Sequence, residues 1–407
     1  MSDLTSTIAF AGQLYRDKIA VAYSGYVKRD PLARLSLRPG RANPYPLYEQ
    51  LRARGTLTPA RQGDWATTSH RVCSAVLRDR RFGVAPPDGF EMSFLGKNPP
   101  DHTRLRRVAT PAFSPKAVAT YADRIEQVAG KLLDAAATKE EFDLVSDFSA
   151  PLPIAVITAL LGIPDSDVAT FSRYGVLIGG ALDGIRSLRH AAQLQSADSE
   201  LEQLFENLFA LRREQPQDDM ISQIVAAEGD QVQPAEMLPI CFLLLIAGFE
   251  TTVNLVSNGV IALLSHPEQW KALCADPAGL ASKAVEETLR YDPPVHLTDR
   301  DALEPVELEG RRIGTGRKVI TLLAAANRDP EVYANPAMFD LGRENPAPHL
   351  AFSSGIHYCL GQPLATLEAR IALRMLAERL PGLRQAGPVK RRNATVIRGP
   401  LSFPVTT

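Results

Sequence analysis

The chain has 407 residues, and its 45 Lys and Arg nearly cancel its 46 Asp and Glu. That balance excludes the strong basic footprint of a nucleic-acid binder or of a protein drawn to an acidic membrane surface. A composition of 45% hydrophobic and 22% charged residues is that of a globular protein with a large core. Residues 1 to about 40 form a polar-apolar lead without a signal-peptide pattern, ending in a turn at Arg38-Pro39-Gly40. Short strands are expected within 56–68. Helical periodicity then dominates, over 104–112, 115–136, 151–161, 197–213, 234–264 and 280–291. Strand signals return at 306–313 and 318–325, and 396–405 reads as a hairpin or irregular strands. No repeat or long linker divides the chain, so the expected fold is mostly α with small β-sheets in a single domain over 1–407.

The helix over 234–264 is apolar all round in its middle, so it is buried. At 1.5 Å per residue about thirty residues span ~45 Å, enough to form one wall of a cofactor pocket. The longest apolar run, 240–248, is far short of the ~20 residues a transmembrane segment needs, so none is expected.

Of the four cysteines, Cys73, Cys241, Cys274 and Cys359, no two form a C-x-x-C pair. Their spacing suits neither a thiolate zinc site nor a disulfide framework, and a reducing cytoplasm is expected. Cys73, Cys241 and Cys274 read as structural. Cys359 differs. It lies in Phe352-Ser353-Ser354-Gly355-Ile356-His357-Tyr358-Cys359-Leu360-Gly361, just before a helix marked by Pro363, Leu364, Leu367, Ile371 and Met375. A helix N-terminus favours a thiolate. Gly355 and Gly361 permit tight turns and close approach to a flat ligand, and Phe352 could shield the sulfur.

Further motifs accompany it. In Ala247-Gly248-Phe249-Glu250-Thr251-Thr252, Gly248 removes a side chain where a small ligand could sit. Thr251 can donate to the carbonyl of Ala247 and bend the helix. Glu250 is a carboxylate in an apolar helix, costly unless used or paired. An ordinary helix kink is the plainer alternative. Glu287 and Arg290 form E-x-x-R, in ion-pair reach one turn apart, where a surface pair is the alternative. In Pro99-Pro100-Asp101-His102-Thr103-Arg104-Leu105-Arg106, His102 and Arg106 share one helix face, although such basic runs are usually solvated.

Together these stretches resemble the cytochrome P-450 superfamily over about residues 44–405. The resemblance implies a triangular helical prism, with haem b between the long central helix and the cysteine-loop helix. Cys359 would be the axial iron ligand. His102, Arg106, Arg300 and His357 would contact the propionates, and Phe352, Gly355, Gly361 and Gly248 would border the haem. Glu250 and Thr251 would be the acid–alcohol pair that carries protons into the oxygen groove. Glu287, Arg290 and Arg343 would be structural. The segment 82–99, with Phe90, Met92, Phe94 and Leu95, would cover the pocket. Leu243, Ile246, Ala247, Val295, Leu297 and Leu401 would line it, with ordinary core packing an even alternative for each. The implied reaction inserts one atom of O2 into an apolar small molecule. The chain is then expected to be a monomer served by a separate ferredoxin and ferredoxin reductase docking on Arg104, Arg107 and Lys116. One departure stands out: the family often has Ala-Arg-x-Glu after the loop, whereas here Ala365-Thr366-Leu367-Glu368 lacks the Arg. Three rivals remain. An intact acid–alcohol pair argues against a peroxide-driven hydroxylase and against a haem-based sensor, while a coupling enzyme of the same fold stays open.

Overall fold

A computed structural model describes residues 2–85, 92–164, 187–344 and 347–407. Phe90 lies outside the described residues. The principal helices are α1 (Ser2–Ala22), α2 (His70–Arg78), α3 (Asp101–Ala109), α4 (Ala122–Ala137), α5 (Pro151–Leu161), α6 (Leu188–Glu214), α7 (Pro234–Ser265), α8 (Pro277–Tyr291) and α9 (Gln362–Arg379). Local chemistry explains where the boundaries depart from the periodicity. The helix expected over 115–136 is broken, because Thr120 turns its hydroxyl back to the Ala117 carbonyl at 2.7 Å and closes the short helix Pro115–Ala119. Helix α6 starts well before 197, since Ser187 caps it by accepting from the His190 N–H at 3.1 Å. The turn expected at 38–40 is a helical turn, Arg38–Ala42, with Pro39 in its first positions and Gly40 pressed on the Leu35 backbone. The strand expected over 318–325 stops at Thr321, and Leu323–Ala326 coils into a helical turn.

The largest sheet has five strands. Trp65–Thr67 runs parallel to Lys318–Thr321, which pairs antiparallel with Thr298–Ala302. The C-terminal region adds a hairpin of Lys390–Arg391 with Pro400–Ser402 and a three-stranded sheet that Pro404–Thr406 joins to Glu141–Asp143. At the centre lies α7. A capping box of Gln233 and Glu236 starts it, with Pro234 at the first helical position. It packs against α5, α8 and α9, and 83% of its most apolar stretch is buried. That stretch is long and apolar enough to cross a membrane, yet here it is the protein core.

The E-x-x-R pair is in the interior. Arg290 has no exposed surface and Glu287 is 2% exposed. The guanidinium grips the Glu287 carboxylate with two bonds of 2.7 Å. Its remaining N–H groups donate to the carbonyls of Pro336 at 2.8 Å, Met338 at 2.7 Å and Asn327 at 3.3 Å. Arg343 adds a bond to Glu287 at 3.1 Å, and the Asp340 N–H another at 3.0 Å. The network therefore ties α8 to the loops leading toward the cysteine. Removing Arg290 would strand a buried carboxylate, so Arg290→Ala is expected to cost ~3–5 kcal/mol and to yield aggregate or haem-free protein. Normal recovery of stable, haem-loaded Arg290→Ala would contradict this.

Candidate functional site

The cysteine loop is shaped by backbone contacts. Gly355 has φ +72°, and a Cβ there would lie 2.2 Å from the Leu77 carbonyl oxygen, so the loop is wedged on α2 where only glycine fits. Arg78 donates from Nε to Ser354 Oγ at 2.8 Å and fixes the same edge. The Cys359 N–H donates to the Phe352 carbonyl at 3.0 Å, and Gly361 then caps α9. Gly361 itself sits at φ −80° with room for a side chain on its protein side, so no turn demands glycine there. Phe352 is partly buried between His349 and Tyr358.

Cys359 keeps solvent-accessible surface, whereas Cys73 and Cys241 are wholly buried. The protein surrounding the Cys359 sulfur nevertheless raises its thiol pKa. The Gly361 N–H, the Arg106 guanidinium and the Gln362 N–H each pull it down, but less strongly than burial pushes it up. The helix N-terminus therefore does not yield a ready-made thiolate in the protein alone.

Beside the sulfur lies a cluster of cationic and neutral donors. The rings of His102 and His357 stand 4.4 Å apart. Both nitrogens of His102 and Nε2 of His357 are buried without a partner. Burial, then Arg300, His102 and Arg106, push the His357 pKa down to about 3. Burial, then Arg106 and Arg300, also lower that of His102. Arg106 donates to the Tyr358 carbonyl at 2.6 Å, and Arg300 to the Asp299 carbonyl at 2.7 Å. Two guanidinium groups and two imidazoles thus converge with unfilled donor capacity, which suits carboxylates brought by a ligand.

Along the middle of α7 one face is accessible. Ala247 is exposed and Thr251, one turn on, is partly so, between buried neighbours. The Thr251 hydroxyl donates to the Ala247 carbonyl at 2.8 Å.

Comparison with known proteins gives this arrangement its context. A family model described as Cytochrome P450 matches residues 279–380. The biotin biosynthesis cytochrome P450 of Bacillus subtilis is 38% identical, over 84% of this chain and 91% of that protein. The cytochrome P450 monooxygenase PikC of Streptomyces venezuelae is 40% identical, over 84% of this chain and 85% of its own length. The chain belongs to the cytochrome P450 family. Among solved P450 structures, Mycobacterium smegmatis CYP164A2 superposes with a TM-score of 0.86 at 36% identity, covering 93% of this chain and 99% of that one. The chain groups with the bacterial P450 monooxygenases, and its cofactor is haem b, which P450s hold through a cysteine thiolate. The residues present fit that group. An exposed cysteine stands in a glycine-shaped loop, and partnerless buried nitrogens of His102 and His357 lie beside it.

Several expected P450 positions need correction. Gly248 does not open the groove. A Cβ there would strike Ile157 of α5 at 2.6 Å, so Gly248 serves close helix packing, and Ala247 is the residue on the accessible face. Glu250 does not stand alone beside Thr251. It is 2% exposed and ion-paired with Arg392, which follows the strand Lys390–Arg391. Leu297 and Val295 are partly buried, Leu297 packing against a cluster with Leu35, Leu47 and Leu322 and Val295 against one with Cys73, Leu77 and Leu350. Phe94, Leu243 and Ile246 are buried in the main core, with Met92 packed against it. Leu95 and Leu401 are 43% and 57% exposed. Arg104 is withdrawn from any docking face, because Glu236 grips it with two bonds of 2.8 Å and Asp101 with one of 2.9 Å. Arg107 and Lys116 stay exposed. The Thr366 hydroxyl folds back to the Gln362 carbonyl at 2.9 Å.

Arg392 escaped the sequence reading because Lys390-Arg391-Arg392 looks like an ordinary solvated basic run. Nothing in its spacing shows that a hairpin carries it to α7. The contrast between the two loop glycines is testable. Gly355→Ala, which clashes with backbone, is expected to lower the melting temperature and haem occupancy sharply. Gly361→Ala should leave the fold of the apoprotein intact. Equal haem content and melting points in the two variants would overturn this account.

Proposed function

We propose that Cys359 ligates the iron of haem b, and that this single-domain P450 inserts one atom of O2 into an apolar small organic molecule by hydroxylation or epoxidation. Electrons come from a separate ferredoxin and its reductase in the cytoplasm. One observation carries the reading: the exposed Cys359 shares its loop with His357, whose Nε2 is buried without a partner, and α3 brings His102 and Arg106 against that loop. His357 lies two residues before Cys359, and Arg106 is hydrogen-bonded to the carbonyl just before it. When bound, the haem supplies oxygen activation, and thiolate donation favours O–O cleavage.

The chain's own residues do the rest. The N–H groups of Gly361 and Gln362, with Arg106, hold negative charge on the sulfur. His102, Arg106, Arg300 and His357 take the propionates as donors. With haem in place Phe352, whose carbonyl accepts from the Cys359 N–H, would help keep water from the sulfur. Ala247, small and exposed on α7, would leave room beside the bound haem. Glu250 and Thr251 hold and move protons. With its hydrogen committed to Ala247, the Thr251 oxygen faces the accessible side as an acceptor. Met92, partly buried against the main core, and the accessible face at Ala247 would meet an apolar substrate.

Two measurements test this. The reduced protein with carbon monoxide is expected to show the red-shifted Soret band of a thiolate-ligated haem, and Cys359→Ser to lose it; identical spectra would reject Cys359 as the ligand. Thr251→Ala is expected to keep haem content and substrate affinity. Its product per NADPH should fall while peroxide rises, because the hydroxyl serves proton delivery alone. Thr252→Ala should do much less. Full coupling in Thr251→Ala would remove the relay role and favour a peroxide-driven or non-turnover protein.

A further inference from the structure

A row of polar residues interrupts the apolar surface of α7. Glu250, Asn254 and Asn258 recur every four residues and so lie on one face, with Ser257 beside them. From the first to the last is about 12 Å. All are buried: Asn254 and Ser257 have no exposed surface, and Asn258 is 1% exposed. Among the described residues, neither side-chain atom of Asn254 has a hydrogen-bond partner. Ser257 Oγ, Asn258 Oδ1 and Arg392 Nε lack one too.

These atoms meet in one seam, between α7 and the C-terminal hairpin. Arg392 reaches Glu250. The Arg392 N–H donates to the Gly399 carbonyl at 3.1 Å. Gly399 lies so close over Asn254 that a Cβ would fall 1.8 Å from its Oδ1. Asn258 donates from Nδ2 to the carbonyls of Asp292 at 3.1 Å and Arg398 at 3.2 Å. The Asp292 carboxylate faces Arg398 at 3.7 Å and Arg391 at 3.8 Å, and the Arg391 side chain is 24% exposed. A continuous polar path thus leads from a partly exposed arginine to the buried acid.

Buried amides and hydroxyls without protein partners are costly when dry, and in folded proteins internal water holds them. If Asn254 were only packing, leucine, with the same branching and number of heavy atoms, would serve better. We propose that this seam is a hydrated proton inlet, in which water bridges Asn254, Ser257, Asn258 and Arg392 and resupplies Glu250, while Arg392 positions the Glu250 carboxylate at the inner end. The proposal rests on the Glu250–Thr251 relay. The step is a proton exchange without redox change. Glu250, a carboxylate in its ion pair with Arg392, takes a proton from a seam water and passes it toward Thr251, and that water is restored by hydronium from bulk solvent along the chain. Arg392 keeps its charge throughout and acts as a positioning residue.

The experiment uses the holoenzyme and has a structural and a kinetic arm. High-resolution crystals of the wild type are expected to show ordered water bonded to Asn254, Ser257, Asn258 and Arg392 Nε, and crystals of Asn254→Leu to lack it. Asn254→Leu should keep the carbon monoxide spectrum, the substrate affinity and the melting temperature. Its product per NADPH should fall several-fold, with a larger solvent deuterium effect. Arg392→Lys should retain more coupling than Arg392→Gln. If Asn254→Leu fails to load haem, Ser257→Ala makes the same test. A dry wild-type seam overturns the inlet. So does full coupling in the seam variants when Thr251→Ala is uncoupled. If Thr251→Ala itself stays coupled, the relay reading fails, and the inlet with it.

Discussion

A guanidinium sealed from water holds this structure together. Arg290 is surrounded by protein, and such a burial is tolerable only because its N–H groups all find acceptors. Its grip on Glu287 fixes one end of α8, and its bonds to Asn327, Pro336 and Met338 lock a stretch of irregular chain that has little regular hydrogen bonding of its own. Asn327 passes the constraint on, accepting from the Leu350 N–H at 2.7 Å and donating to the Leu289 carbonyl at 3.2 Å. Leu350 opens the cysteine loop. The position of the sulfur thus depends on a charge pair several turns of chain away.

Two kinds of buried charge coexist. Around Arg290 every group is satisfied, so the network is rigid and chemically inert. Around His102 and His357 donors outnumber acceptors, and burial together with neighbouring guanidinium groups keeps both imidazoles neutral. The first pattern is an ion-pair core and the second is a receptor for anionic groups. At Cys359 burial outweighs the pull of Arg106 and of the backbone N–H groups, so the polypeptide by itself raises the thiol pKa.

How much of this was legible in the sequence depended on range. The cysteine loop, α7 and E-x-x-R are local patterns, and their elements fall where periodicity places them. Helix ends set by a single side chain, such as Ser187 or Thr120, were missed because capping geometry is not a periodic signal. What the sequence hid most fully were pairings across long separations. Arg392 reaches Glu250 from 142 residues away, Gly248 meets Ile157, and Leu297 joins Leu35 and Leu47. Each follows from how helices and hairpins stack, which no spacing along the chain encodes. Arg104 was likewise misread as a free surface cation, because its partner Glu236 is distant in sequence.

The burial of α7 also has a consequence for how the protein is made. When Ser265 leaves the ribosome, α5 is available to cover the helix, but α8 and α9 have not yet emerged. The most apolar segment of the molecule is therefore exposed on one side until translation has passed residue 379. During that interval the nascent chain presents a sticky surface of the kind that recruits chaperones and nucleates aggregation. The longer this one helix waits for its last two neighbours, the longer the nascent chain stays open to misassembly.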